Sequence, residues 1–463
     1  MGRGSSLLLF VFSLVLFLSG CKGIPTAGER QARADAHSIA DQYQPGGQRP
    51  HLPDLSTNSG LQDYLRFAIL NQPRAEAAYY DWVASVERIT QARSLPDPQL
   101  TFQMDIQSAI TSIMPGLMGA IPWPDKLRMG AQVASAESQA KYFTFQSSVL
   151  QTAFEVKRAY YQHYFLTEKV RVSQETMQLL NDLEKLARSQ NEVGKVTLQD
   201  VLRAQIEQDR LLTELANLED SRGALVVQFK AALGMKAEEP APPMPGRFES
   251  TSLDMTPDSL FATALAQNQR LKAMEAEVRA AEASIILARK ARLPDFSLGF
   301  MADAKTDPTL YRLFGNPGTM SLPIWRDKIA AQIAEAQANK HSAEARLSSE
   351  QIALAVDFAE KSYMYREASR NLELLESKLV PKARQSLEVA RISYLSGQLD
   401  FFNLSDTERT LLGFELDEVA AREQRELALA EVSLLILGVP PEGAPQLDKP
   451  LGAHLVGKPS TPK

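Results

Sequence analysis

The chain has 463 residues, enough for one large core or for two or three domains. Its charge is nearly balanced, 50 Lys+Arg against 56 Asp+Glu, and no basic block stands out. That excludes nucleic acid as the expected partner, because phosphate binding needs clustered Lys and Arg.

In chain order, the first feature is Arg3 followed by the apolar run LLLFVFSLVLFL, Leu7 to Leu18, and then Ser19-Gly20-Cys21. A basic start and a short apolar stretch read as an export signal over 1–20, too short to span a bilayer. The LSGC ending matches the bacterial lipobox, in which signal cleavage leaves a diacylated cysteine at the new N-terminus. Cys21 is therefore the expected site of a covalent lipid; the alternative is an ordinary signal peptide with a chance cysteine. It is also the only cysteine, which excludes disulfides, CxxC redox chemistry and thiolate metal sites. Lys22 follows it, not the Asp that typically retains lipoproteins at the inner membrane, so the expected destination is the bacterial outer membrane. No later run of about 18 uncharged apolar residues occurs, so any further crossing has to use strands.

Residues 21–60, with Pro45, Gly46-Gly47, Pro50 and Pro53, read as an extended, lipidated tether. A first unit is expected over 61–238. It opens with a helix from Leu61 to Arg93, where Tyr64, Leu65, Ala68 and Ile69 recur at helical spacing, and continues with strands at about 98–110 and 117–123. From Asp125 to Pro240 no proline intervenes, so the pattern predicts a very long helix, a turn near Gly194 and a second long helix. Leu179, Leu183 and Leu186, flanked by Asp182, Glu184 and Lys185, form the narrow seam of a coiled coil. A run of about 65 helical residues extends roughly 100 Å, too long for a compact domain. After a proline-rich linker at 239–257, a second unit over 258–439 repeats the programme. It comprises a helix from Asp258 to Arg292, strands at about 296–305 and 318–324, and a long hairpin from Arg326 turning near Gly397, with Pro381 inside it. A flexible tail is expected over 440–463.

Four matches in the same order argue for a tandem duplication. LPDPQLTF (Leu95–Phe102) returns as LPDFSLGF (Leu293–Phe300), and AQVASA (Ala131–Ala136) as AQIAEA (Ala331–Ala336). Asn71-Gln72 is set against Asn268-Gln269, and Ala187, Arg188 and Gly194 against Ala390, Arg391 and Gly397. Both units also close on Leu-Gly, at Leu233-Gly234 and Leu437-Gly438. A period near 200 residues is too long for a solenoid repeat and marks duplicated halves.

The short segments alternate. Leu100, Phe102, Met104 and Ile106 take one face, Thr101, Gln103, Asp105 and Gln107 the other. Such segments approach the 9–11 residues of a tilted membrane strand, although a sheet packed on helices alternates too. Turn-rich loops, Thr111–Gly116 and Thr306–Gly318, are expected before shorter return strands. Each return ends in proline, tryptophan and charge, with Trp123 and Trp325 where strand becomes helix; tryptophan favours membrane–water interfaces. Four strands cannot close a barrel alone, and no unpaired backbone survives in lipid, so several subunits are implied.

With its duplicated halves, strand pairs, lipobox and the motifs EVGKVTLQDVLRAQ (Glu192–Gln205) and LSGQLDFFNLSDTE (Leu395–Glu408), the chain resembles the TolC-like outer membrane efflux family. The likeness runs from Leu61 to Gly438, and the lipobox and LPDPQL wording are similar to the lipoprotein branch with CusC-, CzcC- and OprM-type channels. The resemblance implies a mainly α fold with a membrane β-barrel. In it, a homotrimer pools twelve strands into the barrel and twelve helices into a periplasmic tunnel. It implies a periplasmic membrane-fusion adaptor, an RND-type or other inner-membrane pump, and a duct that performs no chemistry.

On that reading the tip turns, Val193, Gly194, Lys195, Val196 and Thr197 with Ser396, Gly397, Gln398, Leu399 and Asp400, are where an adaptor docks. Lys195-Val196-Thr197 and Gln398-Leu399-Asp400 depart from the family's usual triplets. Thr197 with Asp200 also forms a capping box, as does Asp400 with Asn403 or Ser405 with Glu408. Asp400 and Asp406 are candidate acids at a tunnel mouth, where they would favour cations. The five histidines lack metal-site spacing, and no P-loop or nucleophile motif is present, so neither a metal site, a cofactor nor an enzyme is expected. Met104, Met114, Met118 and Met129 read as packing residues in preference to a Cu(I) site. A lipid-anchored coiled-coil scaffold, or an adaptor, is the rival reading.

Overall fold

The computed structural model describes residues 25–106, 110–243, 248–250, 257–306 and 309–447. Cys21, the expected export segment and the end of the tail lie outside the described residues.

The first element among the described residues is helix α1 (Ala27–Tyr43), opened by Thr26, whose hydroxyl accepts from Glu29 N. This corrects the reading of 21–60 as extended. The prolines and paired glycines that suggested a tether all lie beyond the helix C-terminus, while Ile39 and Tyr43 bury one face. The start of the tail is also held. Ala444 is buried against the same cluster, Gln146 donates to Pro445 O at 2.8 Å, and Gln42 and Gln446 exchange hydrogen bonds.

The opening helix of each half is broken in two: α2 (Leu61–Asn71) and α3 (Pro73–Arg93), then α6 (Pro257–Gln267) and α7 (Gln269–Lys290). Gln72 leaves the helical region because proline follows it, and Asn268 leaves it to cap α7 through Arg270 N and Leu271 N. Between α3 and α7 the chain forms β1 (Gln99–Ile106), β2 (Ile110–Ile121), α4 (Pro124–Glu192) and α5 (Leu198–Ala232). After α7 come β3 (Phe296–Thr306), β4 (Thr309–Met320) and α8 (Arg326–Leu374). A π-turn (Leu375–Leu379), α9 (Val380–Leu395), α10 (Phe401–Glu431) and a second π-turn (Val432–Ile436) complete the half.

The strands form one antiparallel sheet in the order β1-β2-β3-β4. The return strands begin well before the positions expected from sequence. Thr111–Gly116 and most of Thr306–Gly318 are strand, and only 107–109 and 307–308 lie between the paired strands. Proline and glycine suggested loops here, but irregular pairing absorbs them. The β2–β3 ladder skips Met114 and Pro115, and the β3–β4 ladder shifts beside Pro317 and Gly318.

The 69 residues of α4 make it about 100 Å long. In the second half the corresponding length is interrupted by a π-turn just before Pro381, which accommodates a residue that cannot donate to the helical ladder. Side by side, the helices run α3–α4–α7–α8 toward the strands and α5–α4–α10–α9 toward the hairpin tips. The core is therefore a series of clusters strung along α4. One joins α2 to Tyr160, Phe165 and Phe229, one joins α1 and α3 to Phe145, and one at the far end joins both hairpins.

The duplication has a different register at two places from the one the sequence suggests. Gly234 and Gly438 both adopt positive φ, and a Cβ on either would press on backbone: the Asn71 carbonyl for Gly234, the Gln267 carbonyl for Gly438. Asn71-Gln72 is thus equivalent to Gln267-Asn268, one residue from the apparent match. Gln72 and Asn268 do the same work, donating to the last carbonyls of α5 and of the closing π-turn. Likewise Ala131 is the eighth residue of α4 and Ala331 the sixth of α8, whereas Ala134 and Ala336, both eleventh, are both buried.

Candidate functional site

Two regions carry the candidate residues, the hairpin tips at one end and the strand–helix junction at the other.

Both tips are built alike. Gly194 and Gly397 take φ of 72° and 75°, and each ends its helix with paired backbone bonds: Gly194 N to Asn191 O and Lys195 N to Gln190 O, Gly397 N to Tyr394 O and Gln398 N to Ser393 O. The returning helices are capped at once. The Asp200 carboxylate accepts from Thr197 N and Thr197 Oγ1, and Asp400 accepts from Asn403 N at 2.9 Å. Of the capping pairs open in the sequence, Asp400 with Asn403 is the one formed. Val193, Gly194, Lys195 and Thr197 are exposed, as are Ser396, Gly397, Gln398 and Asp400; Val196 and Leu399 are half-buried and pack on the shared tip core. That core contains Leu183, Ala187, Val201, Leu387, Ala390, Tyr394, Phe401 and Leu404, so the two tips form one unit. Asp406 is exposed on α10.

Sequence reasoning placed Glu408 only as a possible cap. It is instead a carboxylate buried beneath the tips, 4% exposed, with Oε1 lacking a hydrogen-bond partner. Burial, reinforced by the nearby Glu207 charge and only partly offset by Arg409, pushes its carboxyl up to about 7. Glu207 itself pairs with Arg409 and Arg210. The signal available in sequence was the spacing Phe401, Leu404, Glu408, which sets the acid on the apolar face of α10.

At the junction, Trp123 and Trp325 are the cap residues of α4 and α8, as the sequence predicts. Lys126 Nζ lies 2.9 Å from both carboxylate oxygens of Asp295 and 2.8 Å from Leu293 O, and Trp123 N donates to Asp295 Oδ1 at 3.0 Å. Partial burial raises the Asp295 carboxyl, but the bonds from Lys126 and Trp123 outweigh it and hold the group low. Lys290 pairs with Asp125 beside it, and the Trp123 ring approaches Phe296 at 6.1 Å. The LPD motif of the second half thus fastens β3 to the start of α4. Above it, Leu100, Phe102 and Met104 stand on one face of β1 at 64%, 68% and 55% exposure. No helix among the described residues is long and apolar enough to cross a membrane, and no group of three or more His, Cys, Asp or Glu there is placed to hold a metal.

Residues 260–436 match the profile of the outer membrane efflux protein family. The match covers 177 residues, most of the second half of the chain. A sequence comparison with curated proteins gives no match, whereas the fold extends the likeness across both halves. The outer-membrane channel OprN superposes with a TM-score of 0.72 at 16% identity, over 82% of this chain and 90% of that one. The CmeC outer membrane channel of Campylobacter jejuni gives 0.71 at 12% identity, over 89% and 93%. The open state of the MtrE outer membrane channel of Neisseria gonorrhoeae gives 0.70 at 16% identity, over 84% and 91%. At these identities the match establishes a shared fold: the outer membrane efflux protein architecture of helical hairpins joined to a small antiparallel sheet, present here in both halves.

Proposed function

We propose that this protein is the outer-membrane exit duct of a tripartite efflux system. It passes substrates passively from the periplasm to the exterior and performs no chemistry. The observation that carries the reading is a sheet with an exposed apolar face and two open edges, continuous with long helices of which α4 alone extends about 100 Å. Open edges are not tolerated in lipid, so the sheet has to close with other copies. In a homotrimer, twelve strands form the barrel and the long helices form the tunnel. Exposed apolar residues on the two edge helices, Leu202 and Ile206 on α5 and Val389 and Ile392 on α9, favour such lateral packing.

On this reading Cys21 carries the lipid anchor, and Trp123 and Trp325 sit at the periplasmic interface of the outer membrane. The exposed tip residues Gly194, Lys195 and Thr197, with Gly397, Gln398 and Asp400, meet a periplasmic membrane-fusion adaptor that couples to an inner-membrane pump. Asp400 and Asp406 lie nearest the mouth and attract cations there. The test is single-channel conductance in planar bilayers, together with heat-modifiable trimers on electrophoresis. A stable monomer without conductance sinks the proposal.

A further inference from the structure

The Lys126–Asp295 junction forms once within the chain, yet residues for a second one stand at its two open ends. Helix α8 begins as α4 does. Tryptophan is the cap, aspartate the second helical residue and lysine the third: Trp123, Asp125 and Lys126 in one, Trp325, Asp327 and Lys328 in the other. Strand β1 is preceded by Leu95-Pro96-Asp97 just as β3 is by Leu293-Pro294-Asp295. Within the chain these parts lie on opposite edges of the sheet, since β1 and β4 are the outer strands. Asp97 and Lys328 are exposed, with no ion pair among the described residues, and Trp325 N donates to none of them. Around them Leu95, Leu322 and Ile324 are exposed, and Trp325 is 72% exposed.

We propose that Asp97 of one copy accepts Lys328 Nζ and the Trp325 N–H of a neighbouring copy, closing β4 of that copy against β1 of the first. The partner is a second copy of this chain, and the inference rests on the oligomeric duct proposed above. The argument is geometric. The operation that carries the first half onto the second within the chain makes the β2–β3 seam and the α4–α7 contact. Applied again, it carries the second half onto the first half of another copy and makes a β4–β1 seam and an α8–α3 contact. A head-to-tail interface of this kind either closes into a ring or runs on as a filament, and a barrel requires the ring. The unlike charges then meet. Lys328 points back toward the start of its helix, as helical side chains do, and meets the Asp97 carboxylate and the Leu95 carbonyl. Trp325 covers Pro98 as Trp123 covers Phe296. Desolvation by the flanking apolar residues strengthens the pair relative to one left in water.

The test uses the full chain purified in mild detergent, with Asp97→Lys, Lys328→Asp and the two combined. Each single change is expected to lower the temperature at which the oligomer dissociates on semi-native electrophoresis by roughly 5 °C, and the charge swap to recover most of that loss. Single variants that dissociate like the wild type overturn the latch while leaving the duct intact. So does a double variant no better than the two losses added. A wild-type chain that never forms an oligomer overturns the duct reading itself. Should the charge variants fail to fold, Asp97→Cys with Lys328→Cys gives an independent readout. A short thiol-bridging reagent is expected to yield covalent oligomers on denaturing gels, and monomers alone overturn the contact.

Discussion

Asn268 donates its side-chain amide to the Ile436 carbonyl at 3.1 Å while its side-chain oxygen accepts from Arg270 N and Leu271 N. One buried residue therefore caps the start of α7 and ties down the end of the π-turn that follows α10. Asn268→Leu leaves both sets of backbone groups unsatisfied and is expected to cost about 2–3 kcal/mol. Gln72→Ala, at the equivalent but more exposed place, is expected to cost less, about 1 kcal/mol. Denaturant titration of the purified protein checks the order of the two losses.

Glu408 makes the packing beneath the tips sensitive to pH. Its folded pKa, about 7, lies above the ordinary carboxylate value of 4.5, so the protonated form is the one that the fold favours. The penalty for burying its charge is absent below about pH 4.5, grows between there and 7, and persists above. Hydrogen exchange in the tip helices is expected to slow as pH falls from 8 to 5.5, after correction for the intrinsic rate. Glu408→Gln is expected to show the slow pattern at both values and to gain up to about 3 kcal/mol at pH 8.

Glu29 behaves in the opposite sense. Burial pushes its carboxyl up, but bonds from Arg93, Thr90 and Arg33 overcome that and hold it at about 2. The side chain is 1% exposed and pins α1 to α3. Its contribution is fully present above about pH 4.5 and is lost as pH falls toward 2. Glu29→Gln at neutral pH leaves Arg93 without its charge partner and is expected to weaken the docking of α1 by about 3 kcal/mol. Limited proteolysis between α1 and α2 is expected to speed up, while the hairpin tips stay protected.

How much of this was legible in the sequence depended on whether a feature is local. The absence of proline from Asp125 to Glu239, and glycines where the backbone must turn left-handed, are statements about local sequence, and the hairpins and their turns lie where these signals point. The LPD repeat placed both strand entrances for the same reason. The return strands began earlier than expected because cross-strand pairing tolerates Pro115 and Pro317 at ladder irregularities, which no propensity encodes. Helix α1 was hidden by the prolines after it. The register of the duplication misled at Asn71 and Ala131, because identical letters recur in helices whose equivalent positions are set by packing. The burial of Glu408 has only a weak signal in the sequence, its spacing from Phe401 and Leu404, because an acid in a charged helix also suits a solvated face or a cap.

The sheet gives the sharpest test of where lipid lies. Leu100, Phe102 and Met104 share the exposed face of β1, and Leu117, directly opposite Leu100, extends it onto β2. Thr101 and Gln103 point to the other side. If the apolar face meets acyl chains, a charge placed there costs about 2–4 kcal/mol near the bilayer midplane and less near its edges. Phe102→Lys is then expected to reduce the amount of heat-modifiable oligomer recovered from outer membranes by roughly tenfold or more, which corresponds to about 1.4 kcal/mol. Gln103→Lys, one residue along and on the opposite face, is expected to leave assembly near wild type and to alter only single-channel conductance. Equal losses for the two would mean that the faces do not differ in environment, and a packed sheet would then replace the barrel.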